Sequence, residues 1–176
     1  MSPDESLTTA IDLGSGSTPR NHYGAHRLIA LDCQDLSIPN YKRCRLGIDS
    51  LPFADQQIDY FTAFDVIEHV PRVLWRDGEL INPFIFLMSE IFRCLKPGGL
   101  FYAETPAYPH GVAFQDPTHV NILTEESIYY FCPRLDPNDP NINQLLKQCQ
   151  AYGFSGSFEL ISQTWRGAHL IWEIKK

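Results

Sequence analysis

The chain has 176 residues, 44% of them hydrophobic and 20% charged, with a formal net charge of -7. This length suits one domain, 1–176, that buries a core without disulfides or metals, and the composition excludes a disordered chain. An acidic chain with no basic block argues against nucleic acid and anionic membrane surfaces as partners. No apolar run reaches the length of a membrane span, and the opening MSPDESLTT lacks the basic and apolar regions of a signal peptide. Five cysteines, at 33, 44, 94, 132 and 149, include no C-x-x-C pair. That favours reduced thiols in a cytoplasmic protein.

In chain order, TTAIDL (Thr8–Leu13) is predicted as a buried strand stopped by Gly14. RLIALD (Arg27–Asp32) is a second, CRLGID (Cys44–Asp49) a third, IDYFTAF (Ile58–Phe64) a fourth and GLFYAET (Gly99–Thr105) a fifth. Runs with little polar alternation, separated by crossovers, predict a mainly parallel, doubly wound α/β sheet covered on both faces. Between the fourth and fifth, apolar residues at Ile81, Phe84, Ile85, Met88, Ile91, Phe92 and Leu95 form one helical stripe. Asn82 suits its cap and Pro83 its first position, while Lys96 and PGG suit its end. A second helix is predicted over NINQLLKQCQAYGF, ending at Gly153. SFELISQ and AHLIWEI, separated by TWRG, predict a C-terminal antiparallel hairpin. Pro133–Asn141 reads as an irregular connection.

The loop after the first strand, IDLGSGSTPRN, carries Gly14 and Gly16, which permit a tight turn and close approach of a ligand to the backbone. Asp32 ends the next strand, near the separation at which a carboxylate accepts from both hydroxyls of a ribose. A dinucleotide site would want a third glycine where Pro19 stands, which counts against NAD(P). The segment Gly16–Leu28 is short and interrupted by Gly24, so the first crossover helix is expected to be shortened to a turn or two.

IDLGSG, ALD, GIDSLPFADQQIDYFTAFDVIEHV and LKPGGLFYAETP occur in an order and spacing that resembles the class I (Rossmann-like) S-adenosylmethionine-dependent methyltransferases, from about Thr9 to Pro106. The departure is Thr18, followed by Pro19, where the family has its third glycine. The resemblance implies that Gly14, Ser15 and Gly16 lie against the methionine part of S-adenosyl-L-methionine and that Asp12 fixes the loop. It also implies that Asp32 binds the ribose and Asp49 the adenine amino group, with Ser50 and Leu51 along the ring. Phe64 and Asp65 would line the methionine end. The KPGG glycines read as a helix stop. Almost nothing precedes the first strand, so a homo-oligomer or partner subunit is expected to cover the cofactor site.

Ligands in open α/β sheets bind beyond the carboxyl ends of the strands. His69 in DVIEHVPRV and His119 in the long connection after the fifth strand are therefore candidate bases. Tyr108, Phe114 and Asp116 are candidate acceptor-binding residues, with Asp116 orienting His119. The competing reading gives Asp116 and His119 a loop-holding role, with Thr124 capping a helix whose first turn carries Glu125 and Glu126. His69, His110, Asp116 and His119 offer metal-ligand chemistry, but no close ligand pair such as H-E-x-x-H exists, and no metal is expected. The expected activity is methyl transfer to an oxygen or nitrogen of a small-molecule or glycan-like acceptor. The alternatives are a non-catalytic module of the same fold acting with a partner, and an NAD(P)-dependent oxidoreductase.

Overall fold

The computed structural model describes residues 7–134 and 143–176. Its strands are β1 (Thr9–Leu13), β2 (Arg27–Asp32), β3 (Tyr41–Arg43), β4 (Ile58–Phe64), β5 (Leu74–Arg76), β6 (Glu79–Ile81), β7 (Leu95–Pro106), β8 (Glu159–Arg166) and β9 (His169–Lys175). Seven of them form one sheet in the order β3-β2-β1-β4-β7-β9-β8. β1, β2, β3, β4 and β7 run parallel; β9 is antiparallel to both β7 and β8. The order reverses beside β1, so the loops leaving β1 and β4 diverge there. This is the place where open α/β sheets bind ligands.

The predicted third strand is displaced. Tyr41–Arg43 pairs with β2, whereas Cys44–Asp49 closes into a turn in which Ile48 and Asp49 donate their amides to the Arg45 carbonyl. Gly47 takes φ +79 inside that turn, with the Pro83 carbonyl 2.7 Å from where a Cβ would stand. The local turn therefore prevails over the apolar alternation. β5 and β6 were not anticipated. They form a separate antiparallel pair around Asp77-Gly78, both at positive φ, as a two-residue hairpin turn requires.

Helix α1 (Pro83–Cys94) has Pro83 in its first turn, but Asn82 makes no side-chain cap bond. Its buried face is Phe84, Leu87, Met88, Ile91 and Cys94. Lys96 lies in β7, with Nζ 2.8 Å from Asp59. A short helix α2 (Val112–Gln115), a 3-10 segment (Glu125–Tyr130) and α3 (Gln144–Ala151) follow. Residues 135–142, which include most of the predicted Pro133–Asn141 connection and the expected start of α3, lie outside the described residues.

Register divides the sheet into two unlike faces. Ile11, Leu13, Phe61, Ala63, Phe101, Ala103, Trp172 and Ile174 pack in one cluster with α1, Ile128 of the 3-10 segment, and Leu146 and Cys149 of α3. Each fully buried large side chain in that layer contributes roughly 1.5–3 kcal/mol. The opposite face presents Asp12, Tyr60, Thr62, Phe64, Tyr102 and Glu104, which are register partners across β1, β4 and β7. Here the first crossover goes beyond the expected shortening. Residues 14–26 contain no helix and cross the sheet as an irregular strap of turns. Arg20 lies over the Phe64 ring (4.5 Å), His22 stacks on Tyr102 (4.1 Å) and Tyr23 stacks on Tyr60 (4.5 Å). The strand order is that of the doubly wound expectation, but the second face is covered by chain rather than by a helix.

All five cysteines are free thiols, and all but Cys33 are buried. Burial pushes Cys132 and Cys149 up to about 12 and Cys44 and Cys94 up to about 11. Among the described residues no helix is long and apolar enough to cross a membrane.

Candidate active site

The turn leaving β1 is fixed by sterics and by two carboxylates. Gly14 has φ +63, and a Cβ there would stand 2.2 Å from Cγ2 of Val66, in the turn after β4. The loop can sit that close to β4 only because residue 14 lacks a side chain. Gly16, at φ +54, has nothing within 4 Å of its would-be Cβ, so its backbone faces open space. Its amide donates to Oδ2 of Asp32 at 3.0 Å, while the Gln34 amide donates to Oδ1 at 3.0 Å. Asp32 is only 7% exposed, and each of its oxygens keeps a further lone pair for a ligand hydroxyl. The Ser15 hydroxyl turns inward to the Gly16 carbonyl.

Asp12 is 2% exposed: Oδ1 accepts from Thr62 Oγ1 at 2.8 Å and Oδ2 from the Arg20 amide at 2.7 Å. Burial raises its pKa, against the opposing Arg20 and Thr62 hydrogen bonds. It holds residue 20 of the strap, and its near-complete burial beneath that strap, rather than its bond count, sets it apart from Asp32. Thr62 and Arg20, its two partners, carry no sequence signal beyond polarity within a strand and a loop.

Two of the three residues expected along the adenine, Asp49 and Leu51, are engaged by other parts of the chain. Asp49 forms a bidentate pair with Arg45, Oδ1 to Nη2 at 2.6 Å and Oδ2 to Nε at 3.0 Å, and also accepts the Arg45 amide. The guanidinium and amide of Arg45 hold its carboxyl down at about 2. Ser50 is exposed, whereas Leu51 is buried in the core and donates its amide to Glu90. Phe64 faces the strap, in contact with Arg20, His22 and Tyr102. Asp65 takes φ 52 and lies 3.0 Å from Nε2 of His169 on β9.

A second group assembles where β4 and β7 end. Residues Ile67–His69 form a 3-10 turn. Glu68 is 1% exposed, and its Oε2 accepts from Thr105 Oγ1 at 2.9 Å. Its backbone carbonyl accepts the amides of Val120 and Asn121, each at 2.9 Å. Asn121, fully buried, donates from Nδ2 to the Ile67 carbonyl and accepts from Arg72. These bonds clip the loop after β7 onto the turn after β4, which brings His119 to His69 with ring centroids 4.8 Å apart. Burial raises the Glu68 pKa. Sequence reasoning missed Thr105, Thr118 and Asn121, and it placed Glu68 only as a neighbour of His69. Their partners among residues 67–72 lie 37 to 54 residues away along the chain, so no local pattern marks them.

Asp116 and His119 are near but not tightly paired, with Oδ2 to Nε2 at 4.0 Å. Asp116 instead accepts at Oδ1 from the Thr118 amide (2.8 Å) and hydroxyl (2.7 Å), and these bonds lower its pKa. Tyr108 and Phe114 are more than half exposed on the same loop. His110 packs edge-on against Trp165, away from this group. Thr124 caps the next segment with Ser127 in a reciprocal box, so the cap is where the sequence puts it, on a 3-10 helix. Two cavities, of about 770 and 470 Å³, lie elsewhere; neither is lined by Gly14, Asp32, Glu68, His69 or His119. The candidate site is identified by its chemistry rather than by either of these cavities.

Residues 11–103, just over half of the chain, match the family model described as a methyltransferase domain. A Mycolicibacterium smegmatis protein named as a probable S-adenosylmethionine-dependent methyltransferase is 32% identical over 89 residues, which are 47% of this chain and 30% of that protein. The chain thus matches less than a third of that relative's length. Among solved structures, a methyltransferase from Archaeoglobus fulgidus superposes with a TM-score of 0.60 at 13% identity, over 97% of this chain and 87% of that one. A chain from the complex containing the Haloferax volcanii Trm112 methyltransferase activator gives 0.59 at 15% identity, over 98% and 84%. The [4+2]-cyclase SpnF gives 0.58 at 15%, over 97% and 74%. At these identities the superpositions establish the fold, which SpnF, by its name, uses for another chemistry.

Proposed function

The chain belongs to the methyltransferase-domain family, and on that premise we propose that it transfers a methyl group from S-adenosylmethionine to an oxygen or nitrogen of a small-molecule or glycan-like acceptor. The observation that carries this reading is the Gly16–Asp32 lock: an open glycine backbone tied at 3.0 Å to a buried carboxylate with unused lone pairs. Those residues fit a ribosyl-sulfonium cofactor. Asp32 would accept from the ribose hydroxyls, and the backbone of Gly14–Gly16 would lie along the amino-acid end. Asp49 fits the adenine amino group only if Arg45 releases it, so Asp49 is the weakest member of the set. When bound, the cofactor supplies an electrophilic methyl on a sulfonium leaving group.

The protein's task is then to align the acceptor and handle its proton. A hydroxyl or ammonium acceptor loses a proton as its lone pair takes the methyl. His69 and His119 each turn Nδ1 toward a backbone carbonyl, those of Thr118 and Ala113, so a ring whose Nε2 is held by nothing else takes that proton there. Tyr108, Phe114 and Asp116 line the approach from the same loop. The acidic net charge and the absence of a basic block favour a small or glycan-like acceptor over nucleic acid. Free thiols favour a cytoplasmic setting.

A second reading is a module that acts with a partner, favoured by the sheet face that, among the described residues, an irregular strap covers and where Tyr60, Phe64 and Tyr102 stay half-buried. A homo-oligomer or a partner subunit would then complete the cofactor site. Calorimetric binding of S-adenosylmethionine, S-adenosylhomocysteine, NAD and NADP, followed by turnover on an acceptor panel, separates these readings. Saturable NAD(P) binding with none of S-adenosylhomocysteine would falsify methyl transfer. Cofactor binding without turnover, gained only on adding a partner, favours the module.

A further inference from the structure

We propose that Glu68, His69 and His119 form a binding site for one divalent transition-metal ion at the edge where β4 and β7 end. One ligating atom from each of the three lies within 4.8 Å of the other two, and the Glu68 Oε1 to His69 Nε2 distance is 3.9 Å. The hydrogen bonds around them decide what those atoms are. Thr118 Oγ1 gives its proton to Asp116 at 2.7 Å, so at His69 it can only accept, as can the Thr118 carbonyl. His69 Nδ1, 3.0 and 3.2 Å from these two oxygens, is therefore the N–H donor. His119 Nδ1 likewise faces the Ala113 carbonyl at 3.3 Å.

With Nδ1 as the donor in each, the neutral form of either ring carries its lone pair on Nε2. Oε1 of Glu68 is likewise unshared, because Thr105 bonds the other oxygen. Three acceptors meet with no donor between them. Among the described residues no lysine or arginine nitrogen lies within 4.0 Å of the Glu68 carboxylate, whose one close nitrogen neighbour is Nε2 of His69. A buried carboxylate oxygen and two imidazole nitrogens in this arrangement offer a cation three donors.

The surrounding bonds match those of metal-binding histidines, whose second ring nitrogen donates to a carbonyl or carboxylate and so fixes ring orientation. Two imidazoles and one carboxylate are the donor set of open zinc and non-haem iron sites, and imidazole selects against Mg²⁺ and Ca²⁺. Ligand bonds of about 2.0–2.2 Å need the side chains to close by only about 1 Å. Asp116 Oδ2, 4.0 Å from His119 Nε2, is within reach as a fourth donor. The fifty residues between His69 and His119 explain why spacing gave no metal signal.

Co²⁺ titrated into the metal-stripped chain, with no cofactor present, tests the site. One equivalent is expected to bind with a visible d–d absorption band and to be displaced by Zn²⁺. His69→Gln and His119→Gln should each weaken binding at least ~10-fold, whereas Cys33→Ser and His26→Gln should leave it unchanged. Uptake that both glutamine variants leave intact overturns the assignment, as does no uptake at millimolar Co²⁺ by a chain whose melting curve shows it folded. His69 is 37% exposed at its side chain, so its variant remains readable if the more buried His119 variant unfolds. S-adenosylhomocysteine binding, measured separately, bears only on the methyl-transfer reading.

Discussion

Gly16 donates its backbone N–H to Oδ2 of Asp32 at 3.0 Å, joining the turn after the first strand to the acid that ends the second. The bond links two strand ends at the crevice edge and orients the carboxylate. Asp32→Ala removes both the ligand acceptor and this anchor. Cofactor affinity is expected to fall by about 1 to 3 kcal/mol, the range for charge-assisted hydrogen bonds. Asp32→Asn keeps the shape and should lose less. Calorimetry with S-adenosylhomocysteine measures both; unchanged affinity in the alanine variant removes Asp32 from the site.

Gly14 and Val66 meet more closely than any Cβ permits. Gly14→Ala combines a positive-φ penalty with a clash at 2.2 Å, and about 2–4 kcal/mol of stability should be lost. Val66→Ala in the same chain relieves the clash but not the backbone strain, so a partial rescue in urea unfolding is the expected signature. Full rescue would mean that the left-handed backbone costs nothing there.

The strap makes a separate test of the fold. Tyr23 donates to Glu173 Oε1 at 2.8 Å while stacking on Tyr60. Burial, with Glu173 adding to it, raises its pKa, which keeps the phenol protonated. Tyr23→Phe should cost about 1 kcal/mol, the net worth of the bond. Tyr23→Ala should cost about 3 kcal/mol or more through lost packing. Equal losses in the two variants would mean that stacking contributes nothing.

Arg93 ties helix α1 to the loop before β4. It donates to Glu90 at 2.8 Å from both Nε and Nη2, and to the Phe53 and Leu51 carbonyls. Its guanidinium holds the Glu90 pKa below the ordinary value. That stabilisation is fully present above the unfolded pKa of Glu90 and is lost as pH falls through the depressed folded value. Arg93→Met should cost about 2 kcal/mol near neutrality, below the range for a fully buried pair because Arg93 is part-exposed. The gap from wild type should narrow as the pH drops below about 4. A gap that stays constant in acid unfolding curves would show that Glu90 is not the linked group.

The sequence alone determined what local pattern encodes. The apolar runs from Thr9 to Leu13 and Ile58 to Phe64, the stripe on α1 and the C-terminal hairpin were legible because period and turn chemistry act over a few residues. The family motifs around Gly14 and Asp32 were legible for the same reason. Tertiary structure decided the rest. It placed the third strand at Tyr41–Arg43, because the Arg45–Asp49 turn took the predicted segment. It committed Asp49 to Arg45 and Leu51 to the core, although both stand at motif positions. It also laid residues 14–26 flat on the sheet and brought Glu68, His69 and His119 together through hydrogen bonds spanning about fifty residues. Such contacts depend on where the strand ends converge, and no window of sequence contains both partners.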